Sequence, residues 1–461
     1  MSEQGLAAAR ARMADGGVAD QAIEVFAHFY DQLESGATGM IAEADIDPLS
    51  APPRLADVQI AEGEARAALG ATAIIKLNGG LGTSMGMEKA KSLLEVRDGR
   101  TFLDIIVGQV QSLREKYDVR IPLLFMNSFR TRDDTLAALS KHPDLAVDDL
   151  PLDFLQNREP KLWASDLTPV EWPDDPDLEW CPPGHGDLYT ALSVSGVLRD
   201  LLDAGFKYAS VSNSDNLGAS PDPAAAGWFA SSGAPYAAEV CRRTTADVKG
   251  GYLVVRRCDG RLVLRETAQT PPEDLEPAND LTRHRYFHTN NLWFDLRALA
   301  DTLERTGGVL GLPLIRNTKT IDPGRPDTPE VVQVESAMGA AVEVFDGARA
   351  IEVDRSRFLP VKTTDDLLLL RSDVYEISDE FKLSPQVDSV PLVALDPAHY
   401  KLIGDFDRRF PDGAPSLAEA QSLTVHGDWT FGRDVVVRGD VVLEDQGTAS
   451  SVVDATILDH G

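Results

Sequence analysis

Cysteine is scarce. Cys181, Cys241 and Cys258 are the only three in 461 residues, too few and too widely spaced for a zinc ribbon or a disulfide framework. They read as core or incidental thiols of a reducing compartment. Long apolar runs are also missing: nowhere do about 18 consecutive apolar residues occur, and the opening MSEQGLAAARARMADGG carries no apolar segment of a secretion signal. A soluble, cytoplasmic protein without a membrane span is expected. Positive charge is short as well, with 44 Lys and Arg against 74 Asp and Glu and a formal net charge of -30. That balance opposes binding to nucleic acid or to an anionic membrane. It suits a solvated acidic surface instead.

What is present is length and an alternation of elements. At 461 residues the chain exceeds one ordinary hydrophobic core, so two or three domains are expected. Ile23, Phe26, Phe29, Tyr30 and Leu33 fall at helical spacing, which predicts one amphipathic docking helix over the first 35 residues, then a proline-containing connection to residue 55. AIIKL (Ala73 to Leu77) reads as a buried strand and Thr101 to Asp118 as a helix with Phe102, Ile105, Ile106, Val110 and Leu113 on one face. IPLLFMNS follows as a second strand. Strand, glycine-rich loop, helix and strand make a βαβ unit, which implies a mainly parallel sheet. Leu188, Ala191, Val194, Leu198 and Leu201 predict another helix, leading into the strand YASVSN that ends just before Asp215. Residues 56–386 thus read as an α/β domain whose ligands sit beyond the carboxyl ends of the strands. In residues 387–461, Val425, Phe431, Val437 and Leu443 recur at intervals of six, the pattern of a parallel β-helix of about two coils. An ordinary antiparallel sheet is the alternative, and the open end of a short β-helix invites association with another copy.

IIKLNGGLGTSMGMEKAKS, from Ile74 to Ser92, is the most unusual stretch. Gly79, Gly80 and Gly82 follow a strand directly, so backbone N–H groups can approach a ligand closely, and phosphate makes best use of such donors. The loop fits neither GxxxxGK[ST] nor GxGxxG, and a structural tight turn is the other reading. Lys89 and Lys91, one turn on, favour phosphate, because cations there neutralise charge on a leaving pyrophosphate. Glycines expose His185 in PPGHGD, which suits hydrogen bonding to a phosphate, although a lone histidine is more often structural. Asp215, flanked by amides in SNSDN at a strand end, offers the hard oxygen that phosphate-bound Mg²⁺ prefers; an Asx-rich cap is the alternative. DVKGG, from Asp247 to Gly251, has the look of a hairpin turn. Alternation in GRLVLRE sets Glu266 on the face of Leu262 and Leu264, where sugar hydroxyls would serve as its partners. Asn290 and Asn291 could supply amides to the same hydroxyls. Lys362 follows a proline-fixed extended segment that can hold an ammonium in place.

These blocks (KLNGGLGTSMG, FMNSF, PPGHGD, VSNSDNLGA, DVKGG, TNNLW, FLPVKTTDDLLLL, LTVHGDWTFG and ILDH), in this order from about residue 70 to the end, closely resemble the eukaryotic-type UTP:glucose-1-phosphate uridylyltransferases. The resemblance implies a nucleotidyltransferase-type, Rossmann-like α/β sheet with helices on both faces and a C-terminal left-handed β-helix. It implies Mg²⁺-dependent conversion of UTP and glucose 1-phosphate to UDP-glucose and pyrophosphate. By matching, Leu77, Gly79 and Gly80 should meet the uracil and ribose, and Gly82, Thr83 and Ser84 the phosphates. Gln156 and Gly184 should contact the base. His185 and Lys362 should hold phosphates, Asp215 the metal, and Asn213 the substrate beside it; Gly251, Glu266 and Asn290 should line the glucose. Two departures stand out. The family's GPKS is KAKS here, which aligns Lys91 with the family's catalytic lysine and puts Lys89 in place of a glycine. Its FNTNN is FHTNN, so His288 replaces an amide near the sugar. The alternatives within this frame are transfer to galactose 1-phosphate or N-acetylglucosamine 1-phosphate, or a non-catalytic nucleotide-sugar sensor.

Overall fold

A buried strand running from Thr72 to Asn78, all seven residues inside, is the centre of the molecule. In the computed structural model, which describes residues 2–459 except 245–246, 248–249, 323 and 326, this strand belongs to a seven-stranded sheet. We number its strands β1 (Thr72–Asn78), β2 (Leu123–Asn127), β3 (Asp153–Leu155), β4 (Tyr208–Asn213), β5 (Tyr236–Arg242), β6 (Tyr286–Asp295) and β7 (Arg349–Glu352). Their spatial order is β7-β5-β6-β4-β1-β2-β3. β6 is antiparallel to both neighbours, and every other pairing is parallel. A continuous apolar run buried on both faces is what such a sheet demands.

Alternation along the strands feeds two cores. Ile74, Leu123 and Phe125 point into one, while Ala73, Ile75, Leu77, Leu124 and Met126 point into the other. The first core is covered by helix Phe102–Tyr117 and by the C-terminal residues Tyr400, Phe406, Leu423, Val425, Phe431 and Val437. That helix starts at Thr101 because a capping box closes it: the hydroxyl accepts the Asp104 N–H, and the Asp104 carboxylate accepts the Thr101 N–H at 2.9 Å. The second core is covered by the N-terminal segment and by helices Leu188–Val194, Val197–Asp203 and Leu296–Arg305.

Two helices are shorter than the sequence predicts. The first 35 residues form α1 (Ser2–Asp15) and α2 (Asp20–Glu34), because Gly17 takes φ 74° between them. Ile23, Phe26, Phe29, Tyr30 and Leu33 are buried as expected. The periodic stretch from Leu188 to Leu201 breaks in the same way at Gly196, φ 83°. In the C-terminal region Leu392–Leu395, Ser416–Val425, Val436–Leu443 and Ile457–Leu458 stack in parallel. Ser422 lies opposite Asp440, a step of three hexapeptides, and the antiparallel alternative is excluded for these pairs. His460, which closes the ILDH block, and Val248 and Lys249 of DVKGG lie outside the described residues.

Candidate active site

Four parallel strands end on one edge, and the motif residues follow each end. Asn78 of β1 leads into Gly79, Asn127 of β2 into Ser128, Leu155 of β3 into Gln156, and Asn213 of β4 into Ser214 and Asp215. The register that sets Val211 opposite Leu292 carries Asn290 of β6 to the same edge. There β5 and β6 shift register between Ala238 and Val240, and Asn290 takes φ 57°, which an asparagine tolerates better than most residues. Antiparallel β6 thereby presents its early residues where the parallel strands present their late ones.

The glycine loop folds back on itself. Gly82 and Gly86, at φ 63° and 72°, bracket a single turn over Thr83–Met85, and the Lys91 N–H donates to the Gly80 carbonyl at 3.1 Å. Left-handed backbone is thus needed at Gly82 and Gly86, not at Gly79 or Gly80. At Gly79 a Cβ would lie 2.8 Å from Oε1 of Gln156, whereas at Gly80 it would meet nothing within 4 Å. Thr83 and Ser84 are exposed on the outside of the turn.

Closure of the loop delivers Lys91 to Asp215. Its Nζ donates to Asp215 Oδ2 at 2.7 Å and to the Val361 carbonyl, and the two side chains are 15% and 20% exposed. The Val361 N–H returns to the Asp215 carbonyl at 3.2 Å. Lys89, by contrast, is exposed. Asp215 Oδ1 is buried and has no hydrogen-bond partner. An unshared carboxylate oxygen of this kind fits a hard divalent cation. Among the described residues no group of three or more His, Cys, Asp or Glu could hold a metal, so a cation here would need oxygen ligands from a bound phosphate as well.

At the β3 end, Gln156 Nε2 donates to the Gly184 carbonyl at 2.9 Å, and Gly184 has φ 76°. His185 Nδ1 accepts the Met338 N–H at 2.9 Å, which leaves the proton on Nε2. Burial lowers its pKa, so it is a neutral donor at pH 7. On the other flank Gly251 carries the carbonyl that accepts the His288 N–H at 2.9 Å, and a Cβ on it would lie 2.7 Å from Glu266 Oε1. Burial pushes the Glu266 carboxyl up to about 7 against the opposing field of the Lys362 ammonium. His288 Nδ1 lies 3.0 Å from Asn290 Oδ1 and accepts the Asn290 N–H at 3.1 Å, and its Nε2 is buried without a partner. Burial takes its pKa down to about 4.

Sequence reasoning missed the backbone partners: the Val361 carbonyl beneath Lys91, and Ser336 and Met338 behind the PPGHGD turn. Backbone N–H and carbonyl groups carry no sequence signal. It also missed the buried Glu239–Arg357 pair, two hydrogen bonds of 2.7 and 2.8 Å. A lone acid inside the apolar strand YAAEVC was the available hint.

The carboxyl edge, its glycine turn and a lysine–carboxylate pair define an α/β site with a cationic group at its centre. Solved structures of the same fold include a UDP-glucose phosphorylase from Trypanosoma brucei, 40% identical with TM-score 0.91 over 99% of this chain and 98% of that one. A variant UDP-glucose pyrophosphorylase from Leishmania major in complex with UDP-glucose is 41% identical, with TM-score 0.92 over 98% of both chains. A UTP–glucose-1-phosphate uridylyltransferase from Saccharomyces cerevisiae is 41% identical over 374 residues, 80% of this chain and 73% of that protein. The family model described as UTP–glucose-1-phosphate uridylyltransferase matches residues 23–438. The chain belongs to that family and is a transferase of its class.

Proposed function

We propose that the chain transfers UMP from UTP to glucose 1-phosphate, giving UDP-glucose and pyrophosphate. The observation that carries this reading is the half-buried Lys91–Asp215 pair with one buried carboxylate oxygen unshared, set where the glycine turn closes. The nucleophile, a phosphate oxygen of glucose 1-phosphate, is ionised at neutral pH, so no general base is required. It attacks the α-phosphorus of UTP in line as the bond to the β-phosphate oxygen breaks, and the electron pair leaves on pyrophosphate. No covalent enzyme intermediate forms, and catalysis is alignment plus positive charge.

In this reading Leu77, Gly79, Gly80, Gln156 and Gly184 hold the uracil and ribose, and Gly82, Thr83 and Ser84 the phosphates. Lys91 faces the reacting phosphates, His185 donates its Nε2–H to them, and Lys362 holds the sugar phosphate with Asn213 beside it. Gly251, Glu266 and Asn290 line the sugar. Asp215 would hold Mg²⁺, which when bound neutralises charge on the triphosphate.

The same proposal takes in the C-terminal residues 387–461 as a left-handed β-helix, supported by parallel stacking at a three-hexapeptide step. Residues 56–386 are then the catalytic domain and 1–55 the segment docked on it. Self-association through the β-helix is supported by its exposed Leu392, Val442 and Val453, 68%, 53% and 68% accessible. A cytoplasmic setting accords with three unpaired cysteines; no helix among the described residues is long and apolar enough to cross a membrane.

The test is pyrophosphate release from UTP, with and without Mg²⁺, across glucose, galactose and N-acetylglucosamine 1-phosphates. Release that needs Mg²⁺ and prefers glucose 1-phosphate is expected. Preference for another sugar would shift the substrate, and no release with any sugar would leave a nucleotide-sugar sensor. Exchange of labelled pyrophosphate into UTP without sugar phosphate would contradict the single displacement.

A further inference from the structure

Asn216, next to Asp215, is 1% exposed and spends its side chain on one passing segment and on β6. Its Oδ1 accepts the Leu359 N–H at 2.8 Å, and its Nδ2 donates to the Arg357 carbonyl and to Asn291 Oδ1, both at 3.1 Å. Asn291 on β6 donates to the same Arg357 carbonyl at 3.1 Å and to Glu239 at 3.0 Å. Glu239, fully buried on β5, grips the Arg357 guanidinium through both oxygens and takes the Trp293 N–H at 3.0 Å. Residues 357–359 are thus clamped to β5, to β6 and to the loop that follows β4. Two residues further on, Val361 meets Lys91 and Asp215, and Lys362 follows.

This arrangement costs desolvation, and the Asn216 and Glu239 side chains find all their partners within the protein. A buried ion pair adds little net stability compared with apolar packing, whereas a fully satisfied network fixes geometry. From this we propose that Asn216, backed by the Glu239–Arg357 pair, is a positioning residue that sets the Lys362 segment at a fixed distance from the Lys91–Asp215 pair. The inference rests on the reading of Lys362 and Asp215 given above. Asn216 touches no substrate. It acts through the backbone at 357–359, which it holds by one acceptor and one donor.

The experiment is a double-mutant cycle on the full chain with Asn216→Ala, Lys362→Ala and the two combined, reading kcat and the KM for UTP. Asn216→Ala should keep a folded circular-dichroism spectrum and lower kcat by about tenfold to a hundredfold, the cost of an ångström-scale misplacement, with KM for UTP within about threefold. In the Lys362→Ala background the same change should slow turnover less than about twofold, because the group it positions is already gone. Wild-type kcat in Asn216→Ala, or losses that multiply in the double variant, overturns the positioning role while leaving the proposed reaction standing. A wild-type rate in Lys362→Ala overturns the reading beneath it and the inference together. Should Asn216→Ala not fold, Asn291→Ala, which removes the other donor to the Arg357 carbonyl, is read by the same criteria.

Discussion

Glu266 and Lys362 share one field, and that coupling can be read in solution. With Glu266 at about 7, the KM for the sugar phosphate should change through neutral pH as the carboxyl ionises. Removing the ammonium in Lys362→Ala takes away the charge that opposes burial, so the inflection should move to higher pH. KM profiles of both proteins check this, and an unmoved inflection would separate the two residues. Lys76 reports stability instead. Fully buried against Ser212 Oγ and the Ala219 carbonyl, at 2.7 and 2.9 Å, it is depressed from 10.5 to about 7. Between those values the unfolded chain binds the extra proton, so this group makes stability rise with pH from about 7 to 10.5. Urea midpoints for wild type minus Lys76→Met should show that slope, and a flat difference would contradict it.

At the scale of elements the glycine turns divide into two kinds. At Gly184 both φ 76° and a Cβ position 2.6 Å from the Ser336 carbonyl forbid a side chain, so Gly184→Ala should cost roughly 1–3 kcal/mol in a urea melt. At Gly80 nothing stands within 4 Å of the Cβ position. Gly80→Ala should therefore leave the urea midpoint unchanged and raise the KM for UTP, since only a ligand would meet the methyl. An unchanged KM would count against the loop as the nucleotide cradle. The sequence makes both turns visible, Gly80 because an apolar strand runs straight into glycines and Gly184 because two prolines precede it. It hides the direction of β6, since a strand buried on both faces reads alike either way. It hides the helix breaks at Gly17 and Gly196 too, where apolar spacing continues past the glycine and only the tertiary path shows the turn. Asn216 looked like a flank of Asp215 because its partners lie more than 70 residues away in the chain.

For the molecule as a whole, the C-terminal stack is not an appendage: Leu395, Tyr400, Phe406 and Leu417 join the core that also holds Ile74 and Phe125. Truncation at residue 387 should expose that core and lower the solubility of the remainder, so point changes are the better probe of assembly. Val442→Lys with Val453→Lys should reduce any oligomer seen by light scattering while leaving the melt unchanged. An oligomer of unaltered mass would place the contact elsewhere.

The central claim is that Lys91 supplies charge to the reacting phosphates, and the most direct measurement is the turnover of Lys91→Ala with UTP and glucose 1-phosphate. A folded variant whose kcat falls by about two to four orders of magnitude is the expected result. A wild-type rate would contradict the account.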